Sequence, residues 1–181
     1  MLPGTLREPS LLGKCSAVAM RVFTVLAVLL ILDAVSPIGL SYNHSKSLPR
    51  GIYWHRPVAR PLHRGQLVCF PFVAPEWVKT RRYFPEGTLL CKSVLGLPGD
   101  RIVRSGSETT ICEIDSCLSA GASLAHDSQG RPLPELDLPS IIPPGRLFLS
   151  STRVPNSFDS RYLGLIAESA LVHETHPLIT E

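Results

Sequence analysis

The sequence has few charged residues, few aromatic residues and no dense cluster of basic ones. Charged residues make up 18% of the 181 positions, aromatic residues make up 7%, and the net charge is only +3. Proteins that bind nucleic acid typically carry a basic patch with interleaved aromatic side chains. Because the Lys and Arg residues of this chain are scattered, the sequence argues against a nucleic-acid partner.

Several catalytic signatures are absent as well. The chain has no Gly-x-Ser-x-Gly elbow and no Cys-x-x-Cys motif. Without the elbow, a Ser-His-Asp hydrolase that uses His173 or His176 as its base is the weaker enzymatic alternative. The spacing of these two histidines also fails to match a helical zinc pair. We therefore expect no metal site and no cofactor.

Long helices are not expected after residue 40, because proline and glycine interrupt the chain throughout. There are 17 prolines and 13 glycines in a chain that is 44% hydrophobic. This composition predicts a mainly β fold of short elements and turns. We expect strands at 66–72, 89–95, 101–104, 145–150 and 164–173, one or two helical turns within 74–86, and hairpins or loops across 106–139.

The N-terminal segment differs in kind from the rest of the chain. Residues 22–40 are almost unbroken apolar residues, and with residues 17–20 they reach the roughly 20 residues that span a bilayer. Asp33 then lies near the far interface, where a carboxylate is tolerated. We predict three segments: an N-terminal cytoplasmic tail at 1–16, a transmembrane anchor at 17–40 and a folded domain at 41–181. The lipid bilayer is the expected partner of the anchor.

A cleaved signal peptide is the alternative to an anchor. Ala34, Val35 and Ser36 offer small residues for cleavage, but Pro37 at the first mature position makes a poor scissile bond. This favours an uncleaved anchor. Positive charges lie on both sides of the apolar run, so charge bias alone leaves its orientation open.

Two of the five cysteines lie close together in the sequence. Cys112 and Cys117 are near enough to close a small disulfide loop in an oxidising compartment. The odd total leaves at least one thiol free. The sequence does not decide whether the Cys112–Cys117 bond forms.

A lysine interrupts a run that otherwise indicates a buried strand. Alternate side chains of a strand share a face, so Lys92 projects beside Leu90 and Val94. Strand lysines are commonly edge residues that extend their charge to water. If this one is buried, desolvation lowers its pKa, and a neutral amine can act as a general base.

A lysine base requires a nucleophile that it can deprotonate. Ser47 is the candidate, because Pro49 stiffens the chain after it and Gly51 lets the chain bend. Taken alone, this stretch is more typical of an ordinary linker serine. Other parts of the sequence have to support the assignment.

Three motifs occur in order and together resemble those of bacterial type I signal peptidases. They are S-x-S-x-P-x-G-x-Y at 45–53, K-S-V-x-G-L-P-G-D at 92–100 and N-S-x-D-S-R-Y-x-G at 156–164. The Ser-x-Pro-x-Gly-x-Tyr form of the first motif and the stretch DSQGRPLP at 127–134 resemble the conjugative-transfer branch, the TraF-type maturation peptidases.

The resemblance implies a role for each matching residue. Ser47 is the expected nucleophile, and Lys92 is the expected general base, which deprotonates Ser47 and later activates the deacylating water. Ser45 matches a serine of the oxyanion hole, Ser157 one that hydrogen-bonds and orients the lysine amine, and Asp159 an aspartate that supports activity. Structural roles in turns and in an ion pair with the aspartate are implied for Pro49, Gly96, Pro98, Gly99, Asp100 and Arg161.

The resemblance also implies a fold, a location and a substrate. The expected fold is a coiled antiparallel β-sheet domain with an apolar groove, behind one N-terminal transmembrane helix. The expected location is the bacterial cytoplasmic membrane, with the catalytic domain in the periplasm. The implied substrate is a secreted or pilin precursor in conjugative transfer (type IV secretion), with other transfer proteins as partners. Simple hydrolysis and cyclisation of the pilin both stay open.

A non-catalytic, membrane-anchored assembly component of a transfer apparatus is the alternative from a different class. A degenerate member of this kind is expected to lose Ser47 or Lys92, and this chain has both. A self-cleaving repressor shares the Ser-Lys chemistry, but it needs a DNA-binding helix pair where this chain has its apolar run.

Overall fold

The computed structural model describes residues 18–28, 39–81 and 83–181. It divides into two units, at 1–39 and 40–181. The first unit contains helix α1 at residues 18–28. Among the helices of these three stretches, none combines the length and the hydropathy that a bilayer crossing requires. Residues 17 and 29–38 of the predicted anchor lie outside the described residues, so the anchor stays a prediction.

From residue 39 onward the chain is built almost entirely from short strands, which confirms the mainly β fold class. The strands are β1 (Gly39–Asn43), β2 (Gly51–Arg56), β3 (Leu67–Pro71), β4 (Leu89–Gly96), β5 (Arg101–Ser105), β6 (Glu108–Cys112), β7 (Cys117–Ala122), β8 (Arg146–Ser150), β9 (Ile166–Ala167) and β10 (His173–Thr180). The helical elements are α2 (Glu76–Lys79), α3 (Ser160–Leu163) and a 3-10 turn at Glu168–Ala170.

The strands of the described residues form two sheets. The larger has the order β1-β2-β10-β3-β4-β8-β9, and the smaller has the order β5-β6-β7. The pairings from β2 to β9 across the larger sheet, and both pairings in the smaller one, are antiparallel. The C-terminal strand β10 lies between β2 and β3, so the end of the chain completes the middle of the larger sheet.

The last predicted strand is wrong in its position. The sequence predicted one strand at 164–173, but Ile166–Ala167 pairs with β8, and His173 belongs to a different strand, where it pairs with Cys69 on β3. The 3-10 turn at Glu168–Ala170 then interrupts the extended chain, and β10 begins only at His173. The turn is needed because the chain has to leave the edge beside β8 to reach its place between β2 and β3.

Two apolar clusters stabilise the sheets. The first is formed by strands β3, β4 and β8 with the segments that cover them, and its buried members are Val68, Phe70, Phe72, Val78, Leu90, Val94, Leu147 and Leu149. The second joins β8 to the smaller sheet, with Ile102, Ile111, Ala120, Ile142 and Phe148. Strand β4 lies between the two clusters, which makes it a rigid support for a functional side chain.

Two glycines permit close approaches within the larger sheet, one on β4 and one on β2. A Cβ at Gly96, the last residue of β4, would lie 2.5 Å from Ile142 Cδ1 and 2.9 Å from Phe148 Cβ. A Cβ at Gly51, which has a φ of 146°, would lie 2.0 Å from the carbonyl oxygen of Ile179 on β10. Neither position accommodates a larger residue without displacing the strand that it contacts.

Each sheet contains a disulfide between neighbouring strands. Cys112–Cys117 joins β6 to β7 and is the bond that the sequence left undecided. Cys69–Cys91 joins β3 to β4 and was not predicted. The two half-cystines are paired in the antiparallel register of β3 and β4. The strand register, and not the sequence spacing, brings them together.

Candidate active site

Ser47 lies in the tight connection between β1 and β2, and Asn43 organises this connection. The Asn43 Oδ1 atom accepts hydrogen bonds from the backbone N–H of Ser45 at 3.1 Å and from the Ser45 hydroxyl at 2.8 Å. Its Nδ2 atom donates to the carbonyl oxygens of Ser45, Leu48 and Pro49 at 3.0–3.1 Å. One amide side chain therefore holds both sides of the turn that carries Ser47.

The hydroxyl groups of Ser45 and Ser47 are 3.0 Å apart. A hydroxyl has one hydrogen to donate, and Ser45 donates its own to Asn43. Ser47 is therefore the donor in the Ser47–Ser45 hydrogen bond. Ser151 fixes the nucleophile turn from the other side, because its hydroxyl donates to the carbonyl oxygen of Ser47.

Lys92 projects from the buried face of β4. Leu90, Lys92 and Val94 are all buried, while the residues between them are more accessible, as the alternation of the strand predicted. The lysine side chain is only 4% exposed. Within the described residues its amine makes no hydrogen bond. Burial lowers the pKa of Lys92 from 10.5 to about 8, with Asp159 acting to raise it and Arg161 acting to lower it.

Ser157 is a buried polar residue without a partner. It is 3% exposed, and its Oγ atom makes no hydrogen bond to any residue that the structure describes. The sequence implied a hydrogen bond from this serine to the amine of Lys92, and that bond is not made here. Leaving a hydroxyl buried and unpaired costs about 1–3 kcal/mol. A functional role therefore explains a serine at this position better than packing alone.

Asp159 and Arg161 form a fully buried ion pair behind the site. Arg161 Nε lies 2.9 Å from Asp159 Oδ1, and Arg161 Nη2 lies 3.0 Å from Asp159 Oδ2. The carboxylate also accepts from the backbone N–H groups of Arg161 and Ser151, and so caps α3. The guanidinium donates to the carbonyl oxygen of Ser157 at 3.2 Å. This pair holds the segment that carries Ser157.

A single cavity of about 890 Å³ brings the predicted residues together. Ser45 and Ser47 of the turn, Lys92 of β4 and Ser157 of the late segment all line it. Apolar side chains complete its wall, among them Leu89, Leu90, Val154 and Phe158. Asp159 and Arg161 do not line the cavity. The volume and the mixed wall are typical of a ligand-binding cleft.

The predicted turn at the end of β4 lies away from the cavity. Asp100 Oδ2 accepts from the backbone N–H of Leu97 at 2.6 Å, and its Oδ1 accepts from Arg64 Nη2 at 2.6 Å. The backbone N–H of Gly99 donates to the carbonyl oxygen of Ile142 at 2.8 Å. These contacts hold the strand end, and none of them reaches the serines.

Sequence reasoning missed three contributors to this region. Asn43 precedes the first motif by two residues, and an Asx residue two positions before a serine is a usable turn signal. Ser151 acts through a contact across the fold that no local pattern indicates. The Cys69–Cys91 disulfide joins Lys92's strand to β3 immediately beside the lysine. Its two cysteines occupy the middle of two predicted strands, which was the available clue.

Comparison with known proteins identifies the family. The sequence matches the signal peptidase family, peptidase S26, over residues 14–178. It is 34% identical over 159 residues to the conjugal transfer protein TraF of Agrobacterium fabrum (strain C58), which covers 78% of this chain and 83% of that protein. It is 29% identical over 167 residues to a plasmid transfer protein TraF of Escherichia coli, which covers 85% of this chain and 90% of that protein.

A solved structure is also similar. A signal peptidase I from Enterococcus faecalis V583 aligns with a TM-score of 0.36 and 17% identity, over 63% of this chain and 96% of that chain. The sequence matches extend over most of the chain, and the family match covers the positions of all three motifs. The chain belongs to the signal peptidase family, peptidase S26. The resemblance that the motifs indicated, including the one to TraF proteins, is confirmed.

Proposed function

We propose that this chain is a serine endopeptidase with a Ser-Lys dyad, in which Ser47 is the nucleophile and Lys92 is the general base. The observation that carries the proposal is a buried lysine with a lowered pKa that lines the same cavity as an ordered serine. At pH 7 a pKa of about 8 leaves roughly a tenth of Lys92 as free amine, which suffices for proton abstraction.

The reaction proceeds through an acyl-enzyme. Neutral Lys92 takes the proton of Ser47 as Oγ attacks the carbonyl carbon of the scissile bond, and the ammonium then gives that proton to the leaving amine. Lys92, neutral again, removes a proton from the water that hydrolyses the ester. Because the Ser47 hydroxyl donates to Ser45 in the resting state, it has to rotate toward Lys92 first.

Ser45 and Ser157 take supporting roles in this mechanism. The Ser45 hydroxyl can donate to the developing oxyanion once it turns away from Asn43, next to the backbone N–H of Ser47. The unpaired hydroxyl of Ser157 is available to accept from the Lys92 ammonium or to orient the free amine. Asp159 acts indirectly, since it holds the Ser157 segment through Arg161 and raises the Lys92 pKa.

The substrate we propose is a pilin or another exported precursor of a conjugative transfer system. The names of the TraF relatives support the system, and the apolar cavity supports small apolar side chains before the scissile bond. We further propose that residues 17–40 anchor the chain in the cytoplasmic membrane and that the catalytic domain lies in the periplasm. The two disulfides support an oxidising compartment.

The intact mass of a pilin precursor co-expressed with this chain tests the proposal. We expect truncation with the wild-type chain and none with Ser47→Ala or Lys92→Ala. Matched controls are Ser105→Ala and Lys79→Ala, because both of these residues are exposed. A product lighter by one further water would identify cyclisation in place of hydrolysis. Truncation that survives Ser47→Ala and fails in Ser45→Ala would transfer the nucleophile to Ser45.

The alternative function is a non-catalytic assembly component of a transfer apparatus. It gains support if the folded wild-type chain processes no precursor yet is still required for transfer. A buried lysine without a hydrogen bond is difficult to explain on that alternative, because an apolar residue would stabilise the strand more. For this reason we prefer the enzyme.

A further inference from the structure

Two histidines lie side by side in the wall of the catalytic cavity. His55 on β2 is paired with Thr175 on β10, and His173 precedes Thr175 by two residues, so the histidines are diagonal neighbours on one face of the sheet. Their ring centroids are 4.2 Å apart, and the ring planes are inclined by 54°. Both residues line the cavity that contains Ser47 and Lys92.

The donor atoms of this pair converge. One ring nitrogen of each histidine and the Sγ atom of Cys69 lie within 4.8 Å of one another. His55 Nε2 is 2.7 Å from the Ser41 hydroxyl, which orients the ring. His55 Nδ1 is buried and has no hydrogen-bond partner among the described residues. The pair therefore includes a ring nitrogen that no group in the described part of the chain satisfies.

We propose that His55 and His173 form a binding site for a divalent transition-metal ion, with Zn²⁺ as the ion that fits best. Zn²⁺ prefers imidazole nitrogen and is usually tetrahedral, so the two histidines would supply two of its four positions and water would complete the others. Cys69 does not bind the ion while the Cys69–Cys91 disulfide is intact. Both histidines line the cavity, so an ion held between them would obstruct part of the space that a substrate peptide would occupy.

No local pattern indicates this site, because the two histidines are 118 positions apart in the sequence and become neighbours only through the pairing of β2 with β10. The sequence analysis considered His173 with His176. In the structure His176 instead contacts Glu174 at 2.7 Å and stacks on Trp54. The metal-binding proposal therefore rests on the tertiary fold alone.

Titration of the full-length, tag-free chain with Zn²⁺ tests the binding. The chain is first treated with chelator and then alkylated without reductant, which blocks free thiols and leaves the disulfides intact. We expect one ion per chain, and we expect His55→Gln and His173→Gln each to weaken binding by at least about tenfold. The matched control His126→Gln, an exposed histidine outside the cavity, is expected to bind as the wild type does.

A second measurement does not depend on how the variants fold. In the wild-type chain, Zn²⁺ is expected to shift the imidazole nitrogen resonances of His55 and His173 and to leave those of His126 in place. Zn²⁺ affinity that is unchanged in both cavity variants would overturn the proposal. So would imidazole resonances of His55 and His173 that do not respond to a saturating concentration of the ion.

The consequence for activity rests on the proposed function. Zn²⁺ is expected to lower the processing rate of the wild-type chain relative to its own metal-free rate, and to have a smaller effect on His55→Gln relative to its metal-free rate. If the wild type processes no precursor, the proposed function fails while the titration still decides the metal site. If processing is normal and Zn²⁺ binds at the histidines without inhibition, the obstruction of the cavity is refuted.

Discussion

Two buried ionisable side chains on the same sheet have opposite surroundings. Glu174 on β10 and Lys92 on β4 are both paired in register with Val68 on β3, one from each side. Glu174 is 1% exposed and accepts hydrogen bonds from Arg56, Gln66, His176 and the backbone N–H of Ala59. Lys92 is almost as buried and makes no hydrogen bond to any described residue.

The pKa values of Glu174 and Lys92 differ because only Glu174 has hydrogen-bond partners within the described part of the chain. Burial acts to raise the pKa of Glu174, but its hydrogen bonds outweigh burial and lower the pKa to about 2. For Lys92 burial dominates and lowers the pKa to about 8. The sheet therefore stabilises the charged form of Glu174 and destabilises the charged form of Lys92. A buried charge with a full set of partners indicates structure, whereas one without partners indicates chemistry.

Replacing Lys92 with methionine is expected to have the largest effect. Loss of the general base should reduce the processing rate by about 10²–10⁴-fold. The same change should raise the free energy of unfolding at pH 7, because the fall in the Lys92 pKa from 10.5 to about 8 corresponds to about 3 kcal/mol. Rate measurements check the loss of processing activity, and denaturant unfolding checks the gain in the free energy of unfolding.

The matched control for this prediction is Lys79→Met. Lys79 is an exposed residue of α2 that pairs with Glu76, so its loss should change neither quantity appreciably. The stability penalty of Lys92 is complete below pH 8 and fades as the pH rises toward 10.5, since the folded chain releases this proton first. A Lys92→Met chain that is less stable than the wild type at pH 7 would contradict the claim that charged Lys92 destabilises the fold.

Replacing Glu174 with glutamine should have the opposite effect on stability. The variant keeps the shape of the side chain and loses its charge, so we expect a loss of about 2 kcal/mol at pH 7. Because the folded pKa is about 2 and the ordinary value is 4.5, the wild-type advantage is present above pH 4.5 and disappears as the pH falls toward 2.

Urea unfolding at pH 7 and at pH 3 measures this effect. Glu76→Gln is the control, because Glu76 is exposed and its pair with Lys79 should contribute little. A Glu174→Gln chain as stable as the wild type at pH 7 would mean that the hydrogen bonds of Glu174 do not compensate for its burial. Glu174 would then not stabilise the fold, and its proposed contrast with Lys92 would be wrong.

The alternation of β4 and the three motifs made much of the site predictable. The period-2 pattern put Lys92 on one face of the strand with Leu90 and Val94, and all three are buried in the structure. The three motifs contain Ser45, Ser47, Lys92 and Ser157, and all four of these residues line one cavity. The mainly β class followed from the many prolines and glycines.

The remaining features depend on which strands become neighbours. Strand β10 was predicted too early because the local sequence does not reveal that the chain crosses from β8 to the space between β2 and β3. The Cys69–Cys91 disulfide and the His55–His173 pair follow from this same strand order. Glu174 was not singled out either, since three of its partners lie at residues 56–66, at least 108 positions before it in the sequence.

The pH dependence of processing is expected to follow the deprotonation of Lys92. Because only the free amine accepts a proton, kcat/KM should rise about tenfold per pH unit below 8 and level off above it. His55 and His173 titrate at lower pH, as burial lowers the pKa of each. A profile with its midpoint well below pH 7 would assign the base to a histidine and refute the role of Lys92.

The smallest loss of stability is expected for Ser157→Ala, and this variant separates the two kinds of buried polar group. Ser157 Oγ has no partner among the described residues, so its removal breaks no hydrogen bond and relieves the cost of an unpaired hydroxyl. The free energy of unfolding should therefore not fall, and it should rise by at most about 1–3 kcal/mol. Ser160, a fully buried neighbour whose Oγ accepts from the backbone N–H of Leu149 at 2.9 Å, is the matched control. Ser160→Ala should cost about 1–3 kcal/mol. If Ser157 orients Lys92, the Ser157→Ala chain loses processing activity and retains its stability. A Ser157→Ala chain with full activity would instead show that this serine has no role in catalysis.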